Sequence, residues 1–174
     1  NLANPGTYDA TEGVSPDWDA VNGWRFNGTD DYLLTGVTPA SGWSAIIKFS
    51  DHGATTSQIA LFGSYNAAAA QMRIYSVNGY TYYCNGGQTS GDAENLPSNG
   101  VYAVSGQKGY KNAEETTSDI PAWSGTGAAI SIGGRWYSGA TSNLIQANVQ
   151  AFAIYNAVLT QAQISALTTA MNAL

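Results

Sequence analysis

The stretch VQAFAIYNAVLTQAQISAL, residues 149–167, changes its periodicity in the middle and thereby decides how the chain ends. Its first half belongs to a strand-like segment over residues 146–155. Thr160 and Gln163 then have the spacing of a capping box, in which each side chain accepts a backbone N–H at the start of a helix. Apolar residues follow at helical spacing, so the pattern predicts one short C-terminal α-helix over residues 160–173, docked on a β-sandwich. The apolar residues of this stripe are Ile164, Leu167, Met171 and Leu174.

The chain before this stretch has the pattern of short strands separated by turns. In residues 43–49 apolar side chains alternate with others, as in a strand with one buried face. Asn78-Gly79 lies between two such segments and is the strongest hairpin signal. Residues 1–22 are rich in Asn, Gly, Pro and Asp and predict an irregular N-terminal segment. A spacing of about ten residues between strands is typical of a sandwich or jelly roll. The predicted strands are 23–27, 31–37, 58–65, 71–77, 80–85, 100–106, 109–112, 129–133 and 146–155.

Length and charge exclude several classes of protein. The 174 residues suffice for one domain over residues 1–174 with a full hydrophobic core. Six Lys and Arg against twelve Asp and Glu give a net charge of −6, and six scattered cations cannot form the basic stripe that nucleic acid requires. The apolar runs are far shorter than the ~18 residues of a membrane span, so we expect no membrane insertion. The single cysteine, Cys84, excludes an intramolecular disulfide and is expected to be a small strand residue.

Five segments correspond, in order, to motifs of one known domain type. WRFNGTDDYLLTG (24–36) is similar to an opening F-D-G-x-D-D-Y hairpin, and GWSAIIKF (42–49) to the strand that follows it. GYKNAEE (109–115) resembles a Y-V-N-G hairpin, and ISIGGRW (130–136) an L-x-I-G strand. Residues 149–167 are similar to a terminal signature I-x-x-F-x-I-Y-N-x-x-L-T-x-x-Q-I, the most specific of the five. Together these segments resemble laminin-G-like domains of the concanavalin A-like lectin and glucanase superfamily.

This resemblance implies an all-β, concanavalin A-like jelly roll of two antiparallel sheets with one short C-terminal α-helix. Such domains bind glycans or pack against other virion proteins, and the ending ALTTAMNAL is similar to domains of bacteriophage and prophage virion proteins. We therefore expect a carbohydrate-binding adhesion module located in a virion or on an extracellular surface. The alternative is a structural virion protein, decorating a capsid or attached to a tail through protein contacts. In both cases we expect a homo-oligomer or part of a larger assembly.

Catalytic residues are not evident in the sequence. Glucanases of the superfamily carry Glu-x-Asp-x-x-Glu in a strand, and no such motif occurs. Asp17 and Asp19 lie in the N-terminal segment, where nothing apolar would raise the pKa of an acid. Glu114 and Glu115 are adjacent, so in a strand they point to opposite faces. His52 is predicted in a solvated turn without a partner for general-base catalysis. We expect no enzyme, and glycan cleavage is the least favoured of the three hypotheses.

Aromatic side chains in loops are the candidates for glycan binding, because a ring can lie against the C–H face of a sugar while polar groups contact its hydroxyls. Trp136 and Tyr137, with Arg135 beside them, lie in a Gly- and Ser-rich segment predicted as a loop. Tyr83 lies in a Tyr-rich strand, where alternation requires at least one Tyr to be superficial. Trp123 is another loop aromatic. Alternatively, these aromatics close the ends of the sandwich or lie in an oligomer contact.

The turn of residues 27–31 has two explanations. Asp30 and Asp31 could offer carboxylates to calcium, which takes about six to eight oxygen ligands. The explanation we favour is that they accept backbone N–H groups and brace a corner, with Gly28 in the strained backbone position. A structural Ca²⁺ ion is the one cofactor that the sequence suggests.

Overall fold

The structure, a computed structural model, contains two face-to-face β-sheets and one α-helix on the outer side of the second sheet. It describes residues 9–53, 57–68, 70–92, 94–117, 119–124 and 127–174. Sheet A contains β1 (Thr11–Val14), β4 (Tyr32–Leu34), β6 (Ile59–Ala67), β7 (Ala70–Val77), β8 (Tyr80–Asp92), β12 (Ser131–Ile132), β13 (Arg135–Tyr137) and β14 (Ala140–Ser142). Sheet B contains β2 (Asp17–Asp19), β3 (Gly23–Asn27), β5 (Ser44–Ser50), β9 (Gly100–Ser105), β10 (Lys108–Lys111), β11 (Glu114–Thr117) and β15 (Gln146–Tyr155). The helix α1 spans Gln161–Asn172.

The order of the strands is that of a jelly-roll sandwich. Sheet B runs β11-β10-β9-β5-β15-β3-β2 with antiparallel neighbours. In sheet A, β6 pairs on one edge with β7, which leads to β8, and on the other edge with β12, which leads to β4 and β1. The β13–β14 hairpin joins β6 through one parallel pair, Trp136 opposite Ser64. This architecture confirms the predicted concanavalin A-like fold class.

The main core fills the space between the two sheets. Phe49 and Tyr102 reach into it from sheet B, while Phe62, Ile74 and Tyr83 reach into it from sheet A. The rings of Tyr83 and Tyr102 stack across the interior, with centroids 6.1 Å apart and planes within 8°. Full burial of such a side chain contributes roughly 1.5–3 kcal/mol each, which makes this interior the main source of stability.

The helix forms a third layer, and its capping box is confirmed. The Gln163 N–H donates to Thr160 Oγ1 at 3.3 Å, and the Thr160 N–H donates to Gln163 Oε1 at 2.8 Å. Ile164 and Met171 are buried against the outer face of sheet B. Leu174, predicted as part of this stripe, lies beyond the last helical turn and is 73% exposed, so that part of the prediction is wrong. In the part of the chain that the structure describes, no helix is long and apolar enough to cross a membrane.

The N-terminal segment, predicted to be irregular, contains two strands. β1 pairs with β4 at the edge of sheet A, and β2 pairs with β3 at the edge of sheet B. Both strands are only three or four residues long, and Val14 and Trp18 on them are exposed. Because these edge strands bury no continuous apolar face, they leave no alternation in the sequence.

Candidate ligand-binding face

The acidic turn is a self-bracing corner between β3 and β4. Asn27 Oδ1 accepts the N–H groups of Thr29 and Asp30 at 2.7 and 3.1 Å. In return, Asp31 Oδ2 accepts the Asn27 N–H and Asp30 Oδ1 accepts the Asn27 side-chain amide, each at 2.8 Å. Gly28 has a φ of 76°, the left-handed region that glycine favours. These contacts agree with the bracing role that we favoured.

The calcium hypothesis for the same turn stays a prediction. Nowhere among the described residues do three or more His, Cys, Asp or Glu side chains come together in a group that could hold a metal ion. An ion at Asp30 and Asp31 would therefore need backbone carbonyls or amide oxygens for the rest of its ligands.

The predicted loop around Trp136 is a β-hairpin, so that part of the prediction is wrong. Arg135, Trp136 and Tyr137 form β13, and the turn to β14 has positive φ at Ser138 and Gly139. The Gly and Ser residues that suggested a loop therefore belong to the turn of a hairpin. Alternation in β13 places Arg135 and Tyr137 on one face of sheet A and Trp136 on the other, with its ring 6.4 Å from that of Tyr32. The three predicted neighbours do not form one site.

Two further candidate ligand residues have other positions than expected. Tyr83 is completely buried in the main core, which corrects its assignment as a ligand-binding residue. Its position on the inner face of β8 follows from the register, because it lies opposite Ile74 of β7. Trp123 is half-buried and packs against the main core in a segment that runs along β8, where the Gly87 N–H donates to the Pro121 carbonyl at 2.9 Å.

The outer face of sheet A carries a continuous set of tyrosines and arginines, which we name the Tyr–Arg face. Strand register produces it, because Tyr75 of β7 lies opposite Tyr82 of β8, and the alternating positions Arg73 and Tyr80 share their face. Gly63 of β6 allows β13 to pack closely beside it and so brings Arg135 to this face, since a Cβ at Gly63 would lie 3.1 Å from the Cα of Arg135. The members of the Tyr–Arg face are Tyr65, Arg73, Tyr75, Tyr80, Tyr82, Arg135 and Tyr137.

Rings and guanidinium groups alternate across the Tyr–Arg face. Arg135 lies 5.5 Å from the ring centroid of Tyr137 and 5.0 Å from that of Tyr65. Arg73 lies 4.9 Å from the Tyr65 ring and 4.0 Å from the Tyr75 ring. The row continues through a stacked pair of tyrosine rings, Tyr75 on Tyr82, with centroids 4.8 Å apart. Its two ends are open, because Tyr137 is 44% and Tyr80 46% exposed.

Neither arginine of this face forms an ion pair with another residue in the described part of the chain. The ion pairs recorded within the described ranges join Lys108 to Glu115 and Lys111 to Glu94, and involve neither arginine. Burial, and then the positive charge of Arg73, lower the pKa of Arg135 from its ordinary value. Burial also raises the pKa of Tyr75 to about 12. Within the described residues, the two guanidinium groups of the face are therefore not compensated by a carboxylate.

Polar atoms in the same place are left without hydrogen-bond partners. Nη1 of Arg73 and Nε of Arg135 are buried and donate to no acceptor among the described residues. Other atoms of the two side chains are held in place: Arg73 Nε donates to Gln71 Oε1 at 2.7 Å, and Arg135 Nη2 donates to Ser142 Oγ at 3.2 Å. A buried charged group that lacks hydrogen-bond partners lowers the free energy of unfolding, so this arrangement destabilises the protein in the absence of a ligand.

A second polar site, a depression of about 470 Å³, lies on sheet B and is lined by residues of β2, β3 and β15. Part of its lining is already paired, and none of its lining residues has a buried polar side-chain atom without a hydrogen-bond partner, unlike Arg73 and Arg135 of the Tyr–Arg face. Asn148 Nδ2 donates to Asp51 Oδ2 at 2.6 Å, and the Asp31 carboxylate accepts the Asn27 N–H. Arg25 also lines this depression. We therefore take the Tyr–Arg face as the candidate site.

Residues considered for catalysis are dispersed. His52 is buried rather than solvated, which corrects the prediction; its Nδ1 lies 3.2 Å from the Gln146 carbonyl, and burial lowers its pKa. The backbone N–H groups of Asn22 and Val21 lower the pKa of Asp19, which is the opposite of what a general acid needs. Glu115 is paired with Lys108 at 2.7 Å.

Solved structures that superpose on most of this chain are β-sandwich domains of larger proteins. The binding domain of botulinum neurotoxin serotype D superposes with a TM-score of 0.65 at 10% identity, over 95% of this chain and 48% of that one. A Trypanosoma rangeli sialidase mutant displaying trans-sialidase activity gives 0.62 at 14% identity, over 94% and 30%. NanB with Optactamide gives 0.60 at 13% identity, over 87% and 28%. The shared feature is the fold.

The chain spans less than half the length of each of these structures. No protein-family model and no curated protein matches its sequence.

Proposed function

We propose that the protein is a non-catalytic carbohydrate-binding module whose ligand lies on the Tyr–Arg face. The observation that supports this most strongly is a row of alternating tyrosine rings and guanidinium groups that is exposed at Tyr137 and Tyr80, and in which one nitrogen of each arginine has no acceptor among the described residues. The rings of Tyr65 and Tyr137, 5.1 Å apart, offer apolar surface to the C–H face of a sugar. Arg135 and the tyrosine hydroxyls can bond to its ring substituents. An open surface of this kind suits an extended glycan chain.

The fold neighbours support a role in recognition. They include the binding domain of a toxin and structures of a sialidase, one of them in complex with sialic acid. We extend the proposal to a setting in a bacteriophage virion or on an extracellular surface, as a homo-oligomer or part of a larger assembly. Detection of the chain in purified virions by mass spectrometry would test that setting.

A structural role in a virion is the second candidate, and the same face favours it. Tyrosine and arginine are also the residues that dominate the binding energy of protein interfaces. In that case the Tyr–Arg face would be covered by another protein chain and would bind no sugar.

A glycan array with matched variants separates the two candidates. We expect Tyr137→Ala to weaken glycan binding about tenfold, equivalent to about 1.4 kcal/mol, because it removes an exposed ring from the face. Trp18→Ala is the control, since Trp18 is 61% exposed on the edge strand of sheet B, away from the Tyr–Arg face. Absence of binding to every glycan, together with a stable oligomer that Tyr137→Ala dissociates, would favour the structural role instead.

A further inference from the structure

We infer that the glycan carries an anionic group, a carboxylate or a sulfate ester, which lies against Arg135 above the buried charge of Arg73. This inference rests on the proposed function and specifies the ligand class of the same face. It concerns the two guanidinium groups rather than the tyrosine rings, so that it can fail while the proposed function stands.

The charge balance of the site favours an anionic ligand. Both guanidinium carbons lie within 5.0 Å of the Tyr65 ring centroid, so they are less than about 10 Å apart, which is comparable to the Debye length of about 8 Å at physiological salt. The chain has twelve Asp and Glu against six Lys and Arg, yet no ion pair joins either guanidinium to a carboxylate in the described part of the structure. A counter-charge from outside the protein would relieve their mutual repulsion.

The positions of the two arginines give them different roles in binding an anion. Arg73 is only 4% exposed and has a buried Nη1 without an acceptor, so it provides a fixed charge beneath the surface. Arg135 is half-buried beside the exposed Tyr137, where part of its side chain meets solvent. Its Nη2 is held by Ser142 Oγ at 3.2 Å. Arg135 is therefore the contact residue, and Arg73 strengthens the attraction from below.

The chemistry of the guanidinium group also favours an acidic ligand. Its planar N–H groups match the two oxygens of a carboxylate, or two oxygens of a sulfate, and charge-assisted hydrogen bonds are about twice as strong as neutral ones. A neutral sugar hydroxyl would leave the positive charge of the pair uncompensated. An acidic sugar should therefore bind at least about tenfold more tightly than its neutral counterpart.

Matched pairs of glycans test the inference directly. Suitable probes are uronate oligosaccharides with their methyl esters, sialylated with desialylated oligosaccharides, and sulfated with desulfated ones. Affinities are measured for the wild type, Arg135→Gln, and the control Arg25→Gln, which removes the same charge from an exposed arginine on sheet B. In the wild type and in Arg25→Gln, we expect at least one acidic probe to bind at least about tenfold more tightly than its neutral partner. In Arg135→Gln, the ratio of these two affinities should approach one. Whether this preference appears with the carboxylate probes or with the sulfated probes distinguishes carboxylate from sulfate.

Salt and a conservative variant keep the test valid if Arg135→Gln folds poorly. Raising KCl from about 50 to about 500 mM should weaken binding of the acidic probe and leave its neutral partner nearly unchanged. Arg135→Lys keeps the charge but loses the planar pair of N–H donors. It should therefore retain part of the preference for the acidic probe over the neutral one. A wild-type ratio near one, or a ratio that survives in Arg135→Gln, overturns this inference while binding that depends on Tyr137 would still support the proposed function. Absence of binding to every probe overturns both.

Discussion

Gly133 connects β12 to β13 with a φ of 83°, and its Cα faces the ring of Phe26 in the main core. A Cβ at this position would lie 2.3 Å from a ring carbon of Phe26, far inside van der Waals contact. The residue also joins neighbouring segments, since its N–H donates to the Leu61 carbonyl at 2.9 Å. This one glycine therefore lets the chain turn from β12 into β13, the strand of sheet A that carries Arg135 to the Tyr–Arg face.

Replacement of Gly133 by alanine tests that role. We expect Gly133→Ala to lower the free energy of unfolding by about 2–4 kcal/mol, because backbone strain adds to the clash with Phe26. Gly36→Ala is the control, since Gly36 also has positive φ, 68°, but a Cβ there meets no atom within 4 Å. It should cost only about 1–2 kcal/mol. Urea denaturation measures both, and equal losses would contradict the proposed contact with Phe26.

At the scale of elements, the start of α1 depends on the capping box at Thr160. We expect Thr160→Ala to destabilise the protein by about 1 kcal/mol, because the N–H of Gln163 loses its acceptor. Thr169→Ala is the matched control: Thr169 is exposed within the same helix and its Oγ1 donates to the Ser165 carbonyl at 3.0 Å. Since such back-bonding does not stabilise helices, this variant should be neutral or slightly more stable in thermal unfolding. A loss at Thr169 as large as that at Thr160 would contradict the role of the cap.

Elements with a two-residue or helical period were predictable from the sequence, whereas the composition of the binding face was not. The strand over 146–155, the helix and the Asn78-Gly79 hairpin each carry a local pattern, and the φ values of 52° and 86° in that hairpin are those of a type I′ turn. The short edge strands β1 and β2 bury too little to leave such a pattern. The Tyr–Arg face joins residues from β6, β7, β8 and β13, and only the register between these strands reveals that they share a face.

At the scale of the whole molecule, a buried pair of serines connects sheet B to the segment that carries the helix. Ser105 Oγ donates to the Leu159 carbonyl and accepts the Leu159 N–H, both at 2.8 Å. Ser44 Oγ donates to the Ala157 carbonyl at 2.7 Å and lies 3.2 Å from the Leu159 N–H. Each serine can therefore act as a second acceptor for the same backbone group.

A double-mutant cycle measures this connection. We expect Ser44→Ala and Ser105→Ala together to cost more than the sum of the single losses, by on the order of 1 kcal/mol, because only the double variant leaves the buried Leu159 N–H without an acceptor. The control pair is Ser44→Ala with Ser64→Ala. Ser64 lies on β6 of sheet A, its Oγ forms hydrogen bonds with the backbone of Ala128, and it shares no partner with Ser44. That pair should be additive within about 0.5 kcal/mol. Additivity in both pairs would refute the shared acceptor.

The members of the Tyr–Arg face are tyrosines and arginines, and none of them is a histidine or a carboxylate. The fold itself contains an acid-sensitive group. The folded-state pKa of His52 is lowered by burial, so the unfolded chain takes up more protons and stability decreases as the pH falls below the ordinary histidine value of about 6.5. Acidification is therefore expected to destabilise the fold through His52, which lies outside the Tyr–Arg face.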